Sequence, residues 1–240
     1  MKGTTPRGAS NEQEAATWVR GMFGRIAPRY DLANHLLSGN LDRLWRRHTV
    51  RRVRDVLERP GARVLDICCG TGDLAVALQK RTASRVLASD FCHPMLVAAD
   101  RKIPGGALFE SDALRLPVRE ASLDLVTVAF GFRNLVDYDA GLREMRRVLR
   151  PGGVAAILEF SQPQNALFAA VYHFYSRRIL PLIGGLITGS GDAYRYLPES
   201  IQKFPDAPEL AAAMRRAGFD EVSFDRLTGG SVALHLGKVR

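Results

Sequence analysis

The residues best placed for chemistry lie in a short glycine-rich stretch and at the end of the next apolar stretch. Gly70 and Gly72 follow an apolar run, residues 64–67, that is typical of a buried parallel strand. Glycine at this point lets the backbone approach a ligand closely at the carboxyl end of a strand. Asp90 ends the following apolar stretch about 20 residues on, where a carboxylate that binds ribose hydroxyls is expected. These residues predict a site for a nucleoside-type cofactor.

The charges beside this loop bear on which cofactor it binds. The segment from Gly70 to Ala75 also fits the loose dinucleotide pattern G-x-G-x-x-A. Asp66 and Asp73 flank it, and two carboxylates would repel a pyrophosphate but attract a sulfonium and its amino-acid tail. The loop resembles motif I of the class I S-adenosylmethionine-dependent methyltransferases, usually D-x-G-x-G-T-G, with Cys68 in the first glycine position. A strand, turn and helix without a ligand, and a dehydrogenase that binds NAD here, stay open as alternatives.

Patterns of apolar residues predict the elements that would position this loop. From residue 63 onward, patterns typical of strands and helices alternate, which indicates an α/β fold. We predict a Rossmann-like, mostly parallel seven-stranded sheet with helices on both faces. The predicted strands are 63–67, 85–90, 107–110, 123–130, 154–160, 220–226 and 231–238, with Pro151-Gly152-Gly153 as the turn into the fifth. The predicted helices begin at Asp73 and span 94–101, 139–149 and 206–217.

Two segments are additional to a minimal α/β fold. Residues 1–60 are predicted to form an N-terminal tail, disordered over residues 1–9, and a helical cap over the cofactor or substrate, whereas 61–240 form the cofactor-binding domain. Ser10 with Gln13 is a capping-box signature for the first cap helix. Within the domain, residues 162–200 form an apolar insertion after the fifth strand. It is either a helical segment packed on the core or an apolar lid over the substrate; both can hold.

Composition limits the partners and the compartment. The chain of 240 residues carries a formal net charge of +9, which favours an anionic partner, either nucleic acid or a membrane surface. Residues 1–60 hold twelve Lys and Arg against six acidic residues. Three cysteines without a C-x-x-C pair indicate neither a disulfide framework nor a zinc site, and fit a reducing cytosol. A solvated helix face or contact with anionic lipid headgroups would explain the arginines of the cap: Arg46, Arg47, Arg51, Arg52 and Arg54.

Several blocks in order resemble the ubiquinone/menaquinone biosynthesis C-methyltransferase family, from about Phe23 to the end of the chain. They are residues 147–153 with 158–161, the F-G-x-R-N block at 130–134, residues 194–201, and residues 227–230 with 233–235. The N-terminal signature departs from the family at two positions: Ala33 replaces a methionine and Asp42 replaces a histidine. Ala129 stands where the block before F-G usually begins with serine.

The resemblance implies a prenylated quinol as substrate and S-adenosylmethionine as cofactor, contacted by Thr71, Asp90 and Asp112-Ala113. A turn-forming aspartate stays open as the alternative for Asp112. The favoured acceptor is demethylmenaquinol; the alternatives are 2-methoxy-6-polyprenyl-1,4-benzoquinol and another small lipid-soluble phenol. With the loop itself, the predicted cofactor set is Asp66, Gly70, Thr71, Gly72, Asp90, Asp112 and Ala113.

The candidate catalytic residues lie just past the fourth strand and in the cap. Arg133 is expected to stabilise a developing phenolate and Asn134 to orient the acceptor, because the carboxyl ends of the strands form the ligand crevice. Tyr30 is a further candidate with Asp31 and Asn34; the alternative is that Tyr30 belongs to the core and the other two cap helices locally. No metal site and no nucleic-acid partner are expected. We expect a cytoplasmic protein that contacts a membrane surface, and leave a homo-oligomer open.

Overall fold

Seven strands form one sheet in the order β3-β2-β1-β4-β5-β7-β6. The computed structural model describes residues 1–240 apart from residues 4, 7, 104–105 and 189–190 and the side chains of 186–188, so Leu186 and Ile187 of the apolar insertion lie outside the described side chains. The strands are β1 Val64–Ile67, β2 Val86–Asp90, β3 Ala107–Glu110, β4 Leu123–Ala129, β5 Leu149–Phe160, β6 Glu221–Leu227 and β7 Val232–Lys238.

The first five strands are parallel, as predicted, and β7 is antiparallel to both of its neighbours. A short turn, Thr228–Gly230, separates β6 from β7. A connection of this length reverses the chain, so it pairs the two strands antiparallel. The mostly parallel sheet is confirmed.

One strand boundary was predicted wrongly. β5 begins at Leu149 and passes through the predicted turn instead of starting at residue 154. Leu123 pairs with Leu149 while Leu125 pairs with Val154, so β5 bulges between the two pairs. Gly152, with φ of 78°, supplies the left-handed residue that the bulge requires.

Helices cover both faces of the sheet. On one face, α7 Tyr138–Val148 and α11 Ala207–Arg216 bury Leu142 and Met214 against β4 and β5. The opposite face is covered by α3 Leu41–Arg52, α4 Arg54–Leu57 and α5 Asp73–Gln79. A further helix, α6 His93–Asp100, follows β2.

The N-terminal cap begins with α1 Glu12–Ile26 and α2 Tyr30–Leu37. The predicted capping box is wrong by one residue, because Asn11 is the N-cap and its side chain accepts from the Glu14 N–H at 2.9 Å. Residues 1–3 also differ from the predicted disordered tail. Lys2 forms an antiparallel bridge with Asp137, and the Gly3 N–H donates to the Val136 carbonyl at 2.8 Å.

The insertion after β5 is helical, with α8 Ala166–Phe174, a π-helical turn, α9 Leu180–Thr188 and α10 Gly191–Lys203. Leu180, Tyr194 and Tyr196 pack with α1 and α6 in a third apolar cluster. The insertion also meets the cap directly, since α9 contacts α2 and the Tyr175 hydroxyl donates to the Leu37 carbonyl at 2.7 Å. In the described part of the chain no helix is both long and apolar enough to span a bilayer.

Candidate active site

A solvent-open cleft of about 1010 Å³ lies at the carboxyl ends of β1, β2 and β4. The strand order reverses between β1 and β4, and crevices of this kind are where open α/β sheets bind ligands. Six of the seven predicted cofactor residues line the cleft. They are Asp66, Gly70, Thr71, Asp90, Asp112 and Ala113.

Gly72, the seventh, does not line the cleft but turns the chain into α5. Its φ of 84° is left-handed, and a Cβ atom there would lie 3.2 Å from the Ala99 Cβ and 3.3 Å from the Ile103 Cδ1. Gly72 therefore serves close packing of α5 and α6, while Gly70, with φ of 55°, faces the cleft.

Cys68, which stands at the first glycine position of motif I, keeps the left-handed backbone conformation that glycine favours. Its φ is 48°. The extra side chain is accommodated by Gly131 across the β1–β4 crevice, where an added Cβ would lie 2.5 Å from the Cys68 Cβ. One glycine of the F-G-x-R-N block thus makes room for the departure from motif I.

Asp66 presents a buried carboxylate to the cleft. Its Oδ1 accepts from the Thr127 hydroxyl at 2.6 Å, whereas its buried Oδ2 has no hydrogen-bond partner among the described residues. Burial raises the pKa of Asp66 to about 7, although the Thr127 bond opposes the shift. An ammonium group in the cleft would supply the missing partner.

Asp90 shapes the neighbouring wall of the cleft. Its two carboxylate oxygens accept from the backbone N–H groups of Gly70 and Cys92, both at 2.9 Å. Burial raises the pKa of Asp90 to about 6, and these bonds limit the rise. The carboxylate therefore holds the glycine loop in place as well as facing the cleft.

Thr71 connects the glycine loop to the cap. Its hydroxyl donates to Asp31 Oδ1 of α2 and accepts from the Lys102 ammonium at 3.1 Å. Lys102 also pairs with Asp31 at 2.6 Å and with Asp73 at 2.5 Å. The alternative that Asp31 caps a helix locally is wrong, because its partners lie outside the cap.

Asp112 and Ala113 close the far end of the cleft. The Asp112 carboxylate accepts from the Leu114 N–H at 2.9 Å, which is the turn geometry that the alternative reading described. Asp112 also lines the cleft, so it can form this turn and still lie next to a ligand. Ala113 is buried in the cleft wall.

A second cavity, open to solvent and of about 650 Å³ including that open space, lies between the cap, the end of β4 and the insertion. Seven of its sixteen lining residues are aromatic, among them Trp45, Phe160 and Tyr196. The two cavities share four lining residues, so a ligand in one lies against the wall of the other. The shared residues are Phe23, Tyr30, Arg46 and Phe130.

Phe130 and Tyr30 form much of this shared wall. Phe130 has a left-handed φ of 59°, which is uncommon outside glycine, and its ring packs 4.9 Å from that of Phe160 and 5.7 Å from that of Trp45. The Tyr30 ring meets Phe23 edge-on at 6.0 Å. Burial raises the pKa of the Tyr30 hydroxyl.

Arg133 lies in the wall of the second cavity, and its charge is already paired. The buried guanidinium donates to Glu159 at 2.9 Å, and lies 5.1 Å from the centre of the Phe160 ring. Asn134 instead lines the cofactor cleft, where its Oδ1 accepts from the Tyr196 hydroxyl at 3.2 Å. The two adjacent candidates therefore face different cavities.

Sequence reasoning missed the position of Arg46. Of the arginines assigned to a basic helix face, Arg46 points inward and lines both cavities, while Arg52 pairs with Asp225 at 2.7 Å and Arg54 with Glu58 at 2.6 Å. The signal in the sequence was the i,i+4 spacing of Asp42 and Arg46.

The fold and the site together define a class I S-adenosylmethionine-dependent methyltransferase. A similar solved structure is a SAM-dependent methyltransferase of Thermotoga maritima, a possible histamine N-methyltransferase, with a TM-score of 0.65 and 18% identity over 92% of this chain and 99% of that one. The [4+2]-cyclase SpnF gives a TM-score of 0.64 at 19% identity, covering 96% of this chain and 78% of that one. At these identities the likeness shows the fold alone.

The chain belongs to the ubiE/COQ5 methyltransferase family, whose model matches residues 9–239. It is 48% identical to a demethylmenaquinone methyltransferase of Thermus thermophilus over 90% of this chain and 99% of that protein. A protein of the same name from Deinococcus radiodurans is 44% identical, covering 96% of each chain. The UbiE ubiquinone/menaquinone biosynthesis C-methyltransferase of Cellvibrio japonicus is 44% identical over 94% of this chain and 92% of that protein.

The residues present fit S-adenosylmethionine. The unpartnered Oδ2 of Asp66 suits the ammonium of the amino-acid tail, and Asp90 stands where ribose hydroxyls are expected. The left-handed Gly70 keeps that part of the loop free of a side chain. When bound, this cofactor supplies a methyl group and leaves as a neutral thioether.

We expect Asp66→Asn to stabilise the protein without ligand at high pH. A carboxyl whose pKa rises from 3.8 to about 7 on folding contributes stability below pH 4 that is lost as the pH rises through 7. At pH 8 the free energy of unfolding should increase by up to about 4 kcal/mol in the variant, with no gain at pH 4. Urea unfolding at both pH values measures this.

The exposed Asp55→Asn variant is the control for a general charge effect. Isothermal titration should show weaker binding of S-adenosylmethionine to Asp66→Asn and unchanged binding to Asp55→Asn. If the free energy of unfolding of Asp66→Asn and of the wild-type protein changed with pH in the same way, the raised pKa assigned to Asp66 in the ligand-free protein would be contradicted.

Proposed function

We propose that the protein methylates a ring carbon of a prenylated quinol, with demethylmenaquinol as the acceptor. The observation that carries this proposal is the wall of Phe23, Tyr30, Arg46 and Phe130 shared by the cofactor cleft and the aromatic cavity. An aromatic acceptor in that cavity would lie against the donor methyl group. Relatives at 48% identity from Thermus and Mycolicibacterium, both named demethylmenaquinone methyltransferase, support this acceptor.

A benzoquinol is the second candidate. Several relatives at 42–44% identity are named ubiquinone/menaquinone biosynthesis C-methyltransferase, which supports 2-methoxy-6-polyprenyl-1,4-benzoquinol. The two acceptors share a hydroquinone ring and a prenyl tail, so the same aromatic cavity serves both.

The acceptor must be reduced for carbon to act as the nucleophile. A quinone ring is electron-poor, whereas an ionised quinol hydroxyl places electron density on the adjacent ring carbon. Bound S-adenosylmethionine would supply the methyl group to that carbon and would keep the electron pair of the broken sulfur–methyl bond on its sulfur, while the proton of the methylated ring carbon would pass to water. The protein's task is to align the two reactants and to stabilise the phenolate.

Arg133, although paired with Glu159, offers its charged guanidinium N–H groups to the phenolate. Its guanidinium lines the acceptor cavity and is fixed by Glu159 and by the ring of Phe160. Burial makes its electrostatic effect stronger than it would be in water. Asn134 orients the reactants from the cofactor cleft, and Tyr30 of the cap forms part of the wall that covers them.

A membrane surface delivers the prenylated acceptor. Leucines of α2 and α3 and apolar residues of α8 and α9 form a set of exposed apolar side chains, and α9 contacts α2. Its most exposed members are Leu32, Leu36, Leu44, Leu167, Val171, Phe174 and Leu182. Exposed apolar area of this kind commonly marks a protein or membrane contact.

Basic side chains accompany this apolar surface. Arg43, Arg47 and Arg51 follow one another at four-residue spacing along α3 and are exposed. Each such charge near an anionic bilayer contributes about 1 kcal/mol. Arg52 takes no part in this proposal, since Asp225 pairs with it.

The reaction is tested with a short-chain demethylmenaquinol kept reduced, with the oxidised quinone as control. Mass spectrometry should detect a gain of one methyl group with the quinol only. The benzoquinol is assayed in parallel. If S-adenosylmethionine binds but the naphthoquinol gives no product, demethylmenaquinol is excluded as the acceptor and the benzoquinol becomes the favoured one. Methylation of the oxidised quinone at an equal rate would contradict the phenolate mechanism.

Removal of the charge at position 133 should slow methyl transfer while leaving cofactor binding intact. Because Arg133→Gln alone would strand the buried Glu159, the test variant is Arg133→Gln/Glu159→Gln. We expect kcat to fall about 100-fold, the usual effect of losing one oxyanion-stabilising donor. The Glu159→Gln variant retains the arginine and should lose far less activity; equal losses in both variants would contradict the role.

Neutralising the α3 stripe should weaken binding to phosphatidylglycerol vesicles at low salt. For Arg43→Gln/Arg47→Gln/Arg51→Gln we expect binding to weaken by on the order of 100-fold in co-sedimentation, from three lost charges at about 1 kcal/mol each. Arg119→Gln/Arg143→Gln/Arg216→Gln is the matched control, since Arg143 and Arg216 lie on α7 and α11 across the sheet. Equal binding of both triple variants would eliminate the stripe as a membrane contact.

A further inference from the structure

One cationic side chain stands among the acidic residues of the cofactor cleft. Of the described residues that line the cleft, Arg46 is the only lysine or arginine. Four aspartates, residues 66, 73, 90 and 112, line the same cleft. Arg46 would repel a ligand tail that carried only positive charge, so an arginine in this wall favours a ligand group of negative charge.

Arg46 is held in position by a set of side chains at the base of the cap. Asp42 accepts from the guanidinium, and Asp42 in turn accepts from the Ser38 hydroxyl at 2.8 Å and meets the His35 Nδ1 at 2.8 Å. Asp73 of the cleft lies 3.4 Å from the other terminal nitrogen of Arg46. The side chain is 11% exposed, and its five N–H donors exceed what these two carboxylates occupy.

The same contacts give a role to a departure from the family signature. Asp42 replaces a histidine, and a histidine at that position would not offer Arg46 a carboxylate. His35, Asp42 and Asp73 have ligand atoms within 4.8 Å of one another, a spacing that could hold a metal ion. The Arg46 guanidinium pairs with the carboxylates of Asp42 and Asp73, so it supplies the positive charge that a metal ion would otherwise supply there.

The tail of S-adenosylmethionine carries two opposite charges that need different partners. Asp66 offers an unpartnered carboxylate oxygen for the ammonium. Lys102 is a poor candidate for the carboxylate, because Asp31, Asp73 and Thr71 occupy its three N–H donors and it does not line the cleft. Arg46 lines the cleft and retains free donor capacity in a planar fork that suits a carboxylate.

We propose that Arg46 binds the carboxylate of the cofactor's amino-acid tail, and that Asp42 positions it for this contact. This inference depends on S-adenosylmethionine being the cofactor. Arg46 would then be the residue that distinguishes S-adenosylmethionine from a ligand that lacks the carboxylate. Since Arg46 belongs to α3 and also lines the acceptor cavity, the contact ties the cap to the bound cofactor and completes the wall against which the acceptor lies.

The test compares two ligands that differ only in this carboxylate, S-adenosylmethionine and decarboxylated S-adenosylmethionine, by isothermal titration. For Arg46→Met we expect about 10- to 100-fold weaker binding of S-adenosylmethionine, the usual effect of losing a charge-assisted contact. Binding of the decarboxylated ligand should change less than about threefold. Arg46→Lys keeps the charge beside Asp42 but loses the fork, and should give a smaller loss with the same selectivity.

Arg143→Met is the control, exposed on α7 across the sheet, and should alter the binding of neither ligand. Equal weakening of both ligands by Arg46→Met and Arg46→Lys would show a structural role and overturn the proposal, as would no weakening of either. Failure of the wild-type protein to bind S-adenosylmethionine would overturn the cofactor assignment itself, which separates the two failures. Circular dichroism of each variant verifies that the fold is retained.

Discussion

The cost of burying carboxylates at the ends of β1 and β2 governs the arrangement of this site. Asp66 and Asp90 are almost fully buried, and burial raises the pKa of both. Hydrogen bonds from the backbone N–H groups of Gly70 and Cys92 offset part of the cost of burying Asp90, and the bond to Gly70 fixes the glycine loop. Asp66 is left with one oxygen unpartnered. The protein without ligand therefore stores an unfavourable interaction that a cationic ligand would relieve, which links folding stability to cofactor binding.

The cap is fastened to this acidic site by charge as well as by apolar packing. Asp31 of α2 reaches Thr71 and Lys102, and Arg46 of α3 reaches Asp73. Each contact joins a cap helix to the glycine loop or to a neighbouring segment of the cofactor domain. Methyl transfer requires that water be excluded and that two reactants be aligned, and a cap anchored at the cofactor loop serves both needs.

The aromatic cavity depends on the cap and the insertion together. Trp45 comes from α3, Tyr194 and Tyr196 come from α10, and Phe130 comes from the left-handed turn after β4. None of these elements forms the cavity alone. Leu44 is exposed on the same helix as Trp45, so α3 contributes both to the cavity wall and to the exposed apolar residues.

The sequence alone indicates the carboxyl ends of the parallel strands, the glycine loop and the alternation of strands and helices. These features depend on local apolar periodicity and on the backbone freedom of glycine. Asn11 in place of Ser10 as the N-cap, and the bulge that starts β5 at Leu149, depend on neighbouring segments that periodicity does not describe. The inward position of Arg46 was decided only by tertiary structure. A basic residue on an amphipathic helix faces solvent or a partner according to what packs beside it, and Asp73, which lies 27 positions away in the sequence, is brought to Arg46 by the fold.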